Sequence, residues 1–160
     1  MKRIIAVLVC LLLVTGLSAC SNSKDTEYSH AGITLTLPEN FTEISKQEDE
    51  YSLQSNSGTV VIVCSHADQA FLDENNLGDV DLAEITSMFE EGREVLEHKE
   101  CGAYNWFSFK EGNAEEDLYY MVVVYDTNDG YWLVNFICDN ADLKNYQNNF
   151  LKWAEAVRFE

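Results

Sequence analysis

The chain reads as α+β, an antiparallel β-sheet with two main helices packed on it, and three observations predict this. Leu143, Tyr146, Phe150, Trp153 and Val157 recur at spacings of three and four, one continuous apolar stripe that needs a sheet face to cover. Leu118–Tyr125 and Tyr131–Cys138 are strongly β-forming, and Asp126-Thr127-Asn128-Asp129-Gly130 between them suits a hairpin in which Gly130 takes positive φ. The order of elements is strands, a helix, three strands and a helix, which places helices on one antiparallel sheet.

The elements are justified in order. Met1-Lys2-Arg3 is positive, and every residue from Ile4 to Val14 is apolar. That run is shorter than the roughly 20 residues a helix needs to span a bilayer, and it fits the apolar core of a secretory signal. Thr15 and Gly16 end it before Leu17-Ser18-Ala19-Cys20. This tetrapeptide resembles the lipobox of bacterial lipoproteins: an aliphatic residue, two small residues, and a cysteine whose thiol accepts a diacylglyceryl group. The resemblance implies that residues 1–19 are a lipoprotein signal peptide and that Cys20 is the lipidated first residue of the mature protein. Two or three acyl chains there make a stable membrane tether.

Residues 20–30 are expected to be the lipidated cysteine and a flexible tether, and residues 31–160 a single α+β domain. Ile33-Thr34-Leu35-Thr36-Leu37 alternates as a half-buried strand and Pro38 stops it. Phe41–Ser45 and Glu50–Gln54 form a second extended piece. Ser55-Asn56-Ser57-Gly58 is a turn into the β-branched run Val60–Cys64, which suits a central strand. Asp68–Val80 is the least regular part. Asp81 then caps a helix with Glu84 in capping-box position. Leu82, Ile85, Phe89 and Leu96 share one face of this helix, Gly92 interrupts the stripe where it can let the helix approach the sheet, and Cys101-Gly102 ends it. Ala103–Phe109 is an aromatic-rich strand. In the strand before the last helix, Trp132, Val134, Phe136 and Cys138 share one face and Asn135 points to the other. Asp139, Asn140 and Asp142 supply capping groups for the last helix.

The chain carries 28 acidic residues against 10 basic ones. Lys2 and Arg3 lie in the signal and no acid does, so the mature chain holds 28 acids against 8 bases, a formal charge of −20. Such a balance opposes nucleic acid, whose binding rests on neutralising phosphates, and repels an anionic membrane surface, leaving the anchoring to lipid. Basic partners and divalent cations remain open. Acidic runs such as Glu48-Asp49-Glu50 and Glu115-Glu116-Asp117 read as solvated loops or strand ends. Of the cysteines after Cys20, Cys64 and Cys138 end apolar strands and read as small buried hydrophobes, with one disulfide or a reactive thiol as alternatives.

The element order over residues 31–160 resembles the Mog1/PsbP-like fold. The opening Gly32-Ile33-Thr34-Leu35-Thr36-Leu37-Pro38-Glu39-Asn40-Phe41, a short strand, a proline and an aromatic, is similar to the start of many such domains. The resemblance implies a small exported lipoprotein whose relatives act as accessory or binding subunits. It carries over no catalytic residue, because no catalytic motif is present to match.

Two constellations could bind. Counted as a twelve-residue calcium loop, Asp73–Glu84 offers Asp73, Asn75, Asp81 and Glu84 as hard oxygen ligands around Gly78, although Leu77 leaves position five without a side-chain oxygen. Trp106, Tyr119, Tyr120, Tyr131 and Trp132 exceed what one sheet face can bury. Trp106, Tyr119, Tyr131 and Trp132 are therefore candidates for an aromatic surface that takes a protein, peptide or glycan. His30 falls in the tether, His66 just past a strand and His98 near a helix end, with no spacing that demands catalysis. GxSxG and phosphate-loop patterns are absent. The sequence thus predicts a lipid-anchored extracytoplasmic domain that binds rather than catalyses. The alternatives are an extracytoplasmic hydrolase with an unlocated acid/base pair and a calcium-dependent adhesion or scaffold module.

Overall fold

A computed structural model describes residues 24–112 and 117–160. The signal peptide, the lipobox with Cys20 and the acids Glu115 and Glu116 lie outside the described residues. The elements are β1 (Asp25–His30), β2 (Ile33–Pro38), β3 (Phe41–Lys46), β4 (Glu50–Ser55), β5 (Val60–Ala67), α1 (Gln69–Glu74), α2 (Leu82–Glu90), β6 (Val95–Glu100), β7 (Tyr104–Gly112), β8 (Asp117–Thr127), β9 (Gly130–Asp139), a 3-10 turn (Asn140–Asp142), α3 (Leu143–Glu155) and β10 (Arg158–Phe159). Seven strands form one antiparallel sheet in the order β3-β4-β5-β9-β8-β7-β6, and β1-β2-β10 form a second, smaller sheet. The expected α+β class holds.

Alternation sorts the large sheet into two faces. Tyr51, Leu53, Val60, Ile62, Cys64, Val134, Phe136 and Cys138 point to one face, where Ile33, Leu35 and Leu37 of β2 and Phe150 and Trp153 of α3 close over them. Phe107, Phe109, Val122, Val124 and Leu133 point to the other, where Leu72 of α1 and Ile85 of α2 cover them. The apolar stripe of α3 buries as its spacing predicts: Phe150 is fully buried and its ring stacks on Phe136 at 5.5 Å. The start of α3 differs from expectation. The 3-10 turn Asn140–Asp142 leads into it and Asp142 makes no side-chain cap bond. A tighter turn of backbone thus does the work expected of side chains.

Three expectations are corrected. Residues 25–30 of the expected tether are strand β1, paired with β2 from Asp25↔Pro38 to His30↔Ile33. The anchor of this polar strand is Tyr28, whose hydroxyl donates to the carbonyls of Pro38 (3.3 Å) and Phe41 (3.1 Å). Ala31 and Gly32 join β1 to β2 with φ of 49° and 90°, the two positive values that a tight two-residue hairpin turn requires.

The second correction concerns the helix after Asp81. The capping box forms, with Glu84 N–H donating to Asp81 Oδ1 (2.8 Å) and Asp81 N–H to Glu84 Oε2 (3.1 Å). The helix nevertheless stops at Glu90, and Gly92 turns the chain at φ 78° into the edge strand β6. Among the described residues, no atom beyond its chain neighbours lies within 4 Å of where a Cβ on Gly92 would stand, so the glycine serves the turn and not a close approach. Third, Asp68–Val80 contains a short helix, α1, capped by Asp68 Oδ1 accepting from Phe71 N–H (2.7 Å).

Candidate functional site

The strands run between two poles. At one lie the β1–β2 turn, the end of β5 and the β8–β9 hairpin, since Ala67 pairs with Tyr131 and Thr127 with Gly130. At the other lie the start of β1, the β2–β3 turn and the β4–β5 turn, where Asn56 N–H donates to the Asn40 carbonyl (2.7 Å).

The first pole carries a cleft of about 450 Å³. Its floor is aromatic. The His66 ring lies flat on Trp132 with centroids 4.5 Å apart and planes 6° apart, and Phe159 of β10 stands 6.4 Å from the same indole. Its rim is the β1–β2 turn (Ala31, Gly32), the hairpin Asp126–Asp129 and Glu160. The rim is held by bonds to backbone carbonyls: Glu160 N–H donates to the Gly32 carbonyl (3.0 Å), and the His66 side chain donates through Nε2 to the Asp129 carbonyl (2.9 Å). A carbonyl only accepts, so that bond selects the tautomer or charge state protonated at Nε2. Gly130 is required here: at φ 93°, a Cβ would meet the Ala67 carbonyl oxygen at 2.1 Å. Asp126, Asp129 and Glu160 are exposed carboxylates, and no lysine or arginine is among the described residues lining the cleft.

Of the aromatic candidates, only Trp132 borders this cleft. Trp106, Tyr119, Tyr131 and Trp132 are all buried, at 3 to 8% exposure, so they do not form the open aromatic surface expected of them. The reason is that both faces of the sheet are covered there. Trp106 and Tyr119 belong to the core under α3 and β2, and Tyr131 to the core under α1 and α2. Tyr131 reaches out by its hydroxyl, which donates to the Val80 carbonyl (2.8 Å) and pins the connection before α2. Burial pushes the hydroxyls of Tyr119 and Tyr131 up from the ordinary phenol value. Tyr120 is half-buried and instead borders an apolar groove of about 260 Å³ with Val61, Leu118 and Ile137 at the opposite pole.

The calcium-loop residues do not converge. Asp73 Oδ1 accepts from Gln69 Nε2 (2.8 Å) within α1, and Asn75 Nδ2 donates to the Phe71 carbonyl (2.8 Å). Asp81 and Glu84 are engaged with each other's backbone in the capping box. One oxygen each of Asp73, Asp81 and Glu84 is engaged in a local helix bond, and Asn75 is held through its nitrogen. Among the described residues, no group of three or more His, Cys, Asp or Glu side chains is placed to hold a metal ion.

Cys64 and Cys138 are buried and free, and Cys101 is exposed and free. Burial pushes the Cys64 thiol up to about 12 and the Cys138 thiol, which also feels Asp142 and Asp139, up to about 11. Both behave as packing residues, as their place at the ends of apolar runs predicts. His30 and His98 fall inside β1 and β6, and His66 inside β5. His98 Nδ1 meets the Glu90 carboxylate on the α2–β6 side, away from the cleft. The sequence signal that could have found the cleft was the pairing of His66 with Trp132, which depends on a strand register that no single segment reveals.

No protein-family model matches the chain, and no curated protein matches it in sequence. Solved structures do share its fold. The solution structure of cyanobacterial PsbP (CyanoP) from Synechocystis superposes with a TM-score of 0.55 at 9% identity, over 92% of this chain and 99% of that one. A crystal structure of a protein from Bacteroides thetaiotaomicron superposes with a TM-score of 0.55 at 8% identity, over 84% of this chain and 48% of that one. The chain therefore spans about half the length of the Bacteroides protein. The fold of this chain is Mog1/PsbP-like.

Proposed function

We propose that the protein is a lipid-anchored extracytoplasmic binding domain without catalytic activity, and that its cleft takes a basic group of a peptide or protein partner. The observation that carries this reading is the composition of the cleft: an aromatic floor of Trp132, His66 and Phe159 under a rim of Asp126, Asp129 and Glu160, with no lysine or arginine among the described residues lining it. An arginine or lysine side chain satisfies both parts, with its aliphatic stem on the half-buried rings of His66 and Phe159 beside the buried Trp132, and its charged head among the carboxylates. The lipid anchor is supported by the signal and lipobox pattern ending at Cys20, and the extracytoplasmic location follows from the same pattern. No helix among the described residues is long and apolar enough to cross a membrane. Catalysis is disfavoured by the geometry of His66, whose Nε2 is committed to a backbone carbonyl and whose ring is stacked against Trp132.

The test is a titration of the protein with an arginine-containing peptide and its acidic counterpart, followed through the Trp132 indole and His66 ring resonances. The basic peptide shifts these signals and the acidic one does not. Replacing Asp126 and Asp129 together by asparagine weakens binding by about tenfold, the sum of two exposed charge contacts at roughly 0.7 kcal/mol each. Binding that ignores this double substitution, or shifts confined to other surfaces, overturns the cleft as the site.

A further inference from the structure

The start of β1 lies five residues past Cys20, and this short spacing bears on how the domain stands on a membrane. Lys24 is held in place, since its carbonyl accepts from Glu39 N–H (3.0 Å), and β1 begins at the next residue. The Cα of Cys20 is four peptide steps from that of Lys24, a reach of at most about 14 Å however the chain runs. The lipid, accepted on the reading proposed above, therefore enters the bilayer close to the pole built from the start of β1, the β2–β3 turn and the β4–β5 turn.

The cleft is at the other pole. β5 runs from Val60 near the tethered pole to His66 and Ala67 at the cleft, about 23 Å at about 3.3 Å per residue. The body of the molecule is strongly acidic, so an anionic leaflet repels it as a whole. A body repelled everywhere and tethered at one pole stands with that pole nearest the surface. We infer that the domain stands upright on a short leash, with the Lys24 pole facing the bilayer and the His66–Trp132 cleft opening away from it. The cleft's partner is then a soluble protein, or the ectodomain of a membrane protein, that presents its basic group more than about 20 Å above the surface. Lipid headgroups are out of the cleft's reach.

The molecule carries a convenient reporter for each pole. Cys101 is exposed, and it lies at the cleft pole because its N–H donates to the Tyr104 carbonyl (2.9 Å) and Tyr104 pairs with Tyr125. Ser57 is exposed in the β4–β5 turn at the tethered pole. The full chain is purified from bacterial membranes, and the mass of its N-terminal peptide reports the lipid on Cys20. It is reconstituted into phosphatidylcholine–phosphatidylglycerol vesicles containing a headgroup nitroxide lipid. One sample bears a fluorophore on native Cys101, the other on Ser57→Cys in a Cys101→Ser background; Cys64 and Cys138 are buried and stay unlabelled. The label at position 57 loses most of its emission and the label at 101 keeps most of its own. Inserting a Gly/Ser segment of about twenty residues after Ser21, with a root-mean-square span of about 25 Å, abolishes the difference. Equal quenching at both positions, or stronger quenching at 101, with lipid present on Cys20 overturns the upright arrangement. Absence of lipid on Cys20 instead overturns the anchoring reading itself, and the two failures are told apart by the peptide mass.

Discussion

The two faces of the seven-stranded sheet are closed by different means. On one face, the thirteen-residue helix α3 and the strand β2 seal a core that includes Tyr51, Ile62, Val134 and Phe136, all fully buried. On the other, two shorter helices of six and nine residues cover only the half of the sheet around Phe107, Val122 and Val124. Beyond them Val61, Leu118, Tyr120 and Ile137 stay half-buried beside a groove. The difference teaches where this fold spends its rigidity. The continuous core lies under the elements that frame the cleft, because β2 leads from its rim and β10, which supplies Phe159, pairs back on Ile33 and Thr34. The half-covered face is free of that duty.

Truncations on the two faces put this contrast to a direct test. Phe150 is fully buried among the rings of Phe136, Tyr146 and Trp153, so Phe150→Ala lowers the unfolding free energy by about 3–5 kcal/mol. Leu72→Ala on α1 costs about 2 kcal/mol, the low end of the range for a buried leucine, because a six-residue helix relaxes readily into the space left. Urea denaturation of both variants measures the gap, and equal losses break the comparison. A smaller effect sharpens it: Asp81→Ala removes the side-chain half of the α2 capping box and costs about 1 kcal/mol, or about 3 °C in melting temperature.

The smallest effect is electrostatic and sits at the rim of the larger core. The Lys46 ammonium at 2.8 Å, and then the Tyr51 hydroxyl at 2.6 Å, hold the Glu43 carboxyl below its ordinary value of 4.5. A folded value below the unfolded one contributes stability that is present above pH 4.5 and lost as pH falls through the folded value. The Glu43 side chain is 38% exposed, so solvent screens the pair and its worth is under about 1 kcal/mol. Glu43→Gln accordingly lowers stability slightly above pH 4.5 and converges with the parent only once the pH has fallen through the lower folded value, as denaturation midpoints across that range measure.

Much of the first face was legible in the residues, and much of the second was not. The stripe of α3 spans several turns and the alternation of β9 spans a whole strand, so each pattern repeats often enough to outweigh local noise. The helix at Asp81 was legible at its start, where two side chains and two backbone groups satisfy one another locally. Its end was not, because Val95 and Leu96 continue a helical spacing while Gly92 and the free edge of β7 draw the chain into a strand. The strand β1 was missed because Tyr28 is its one large apolar residue, and its pairing with β2 comes from a turn whose first residue is alanine.

By itself the sequence determined the fold class, the central strands and the last helix, the burial of Cys64 and Cys138 and the acidity of the body. These follow from short-range periodicity and from composition, which the chain carries without needing a partner segment. Only the tertiary structure decided that Trp106, Tyr119 and Tyr131 are core. It likewise decided that His66, Trp132, Phe159 and the Asp126–Asp129 hairpin meet in one cleft. Those outcomes depend on register between strands distant in sequence, and a shift of one residue in any of them would send each side chain to the opposite face.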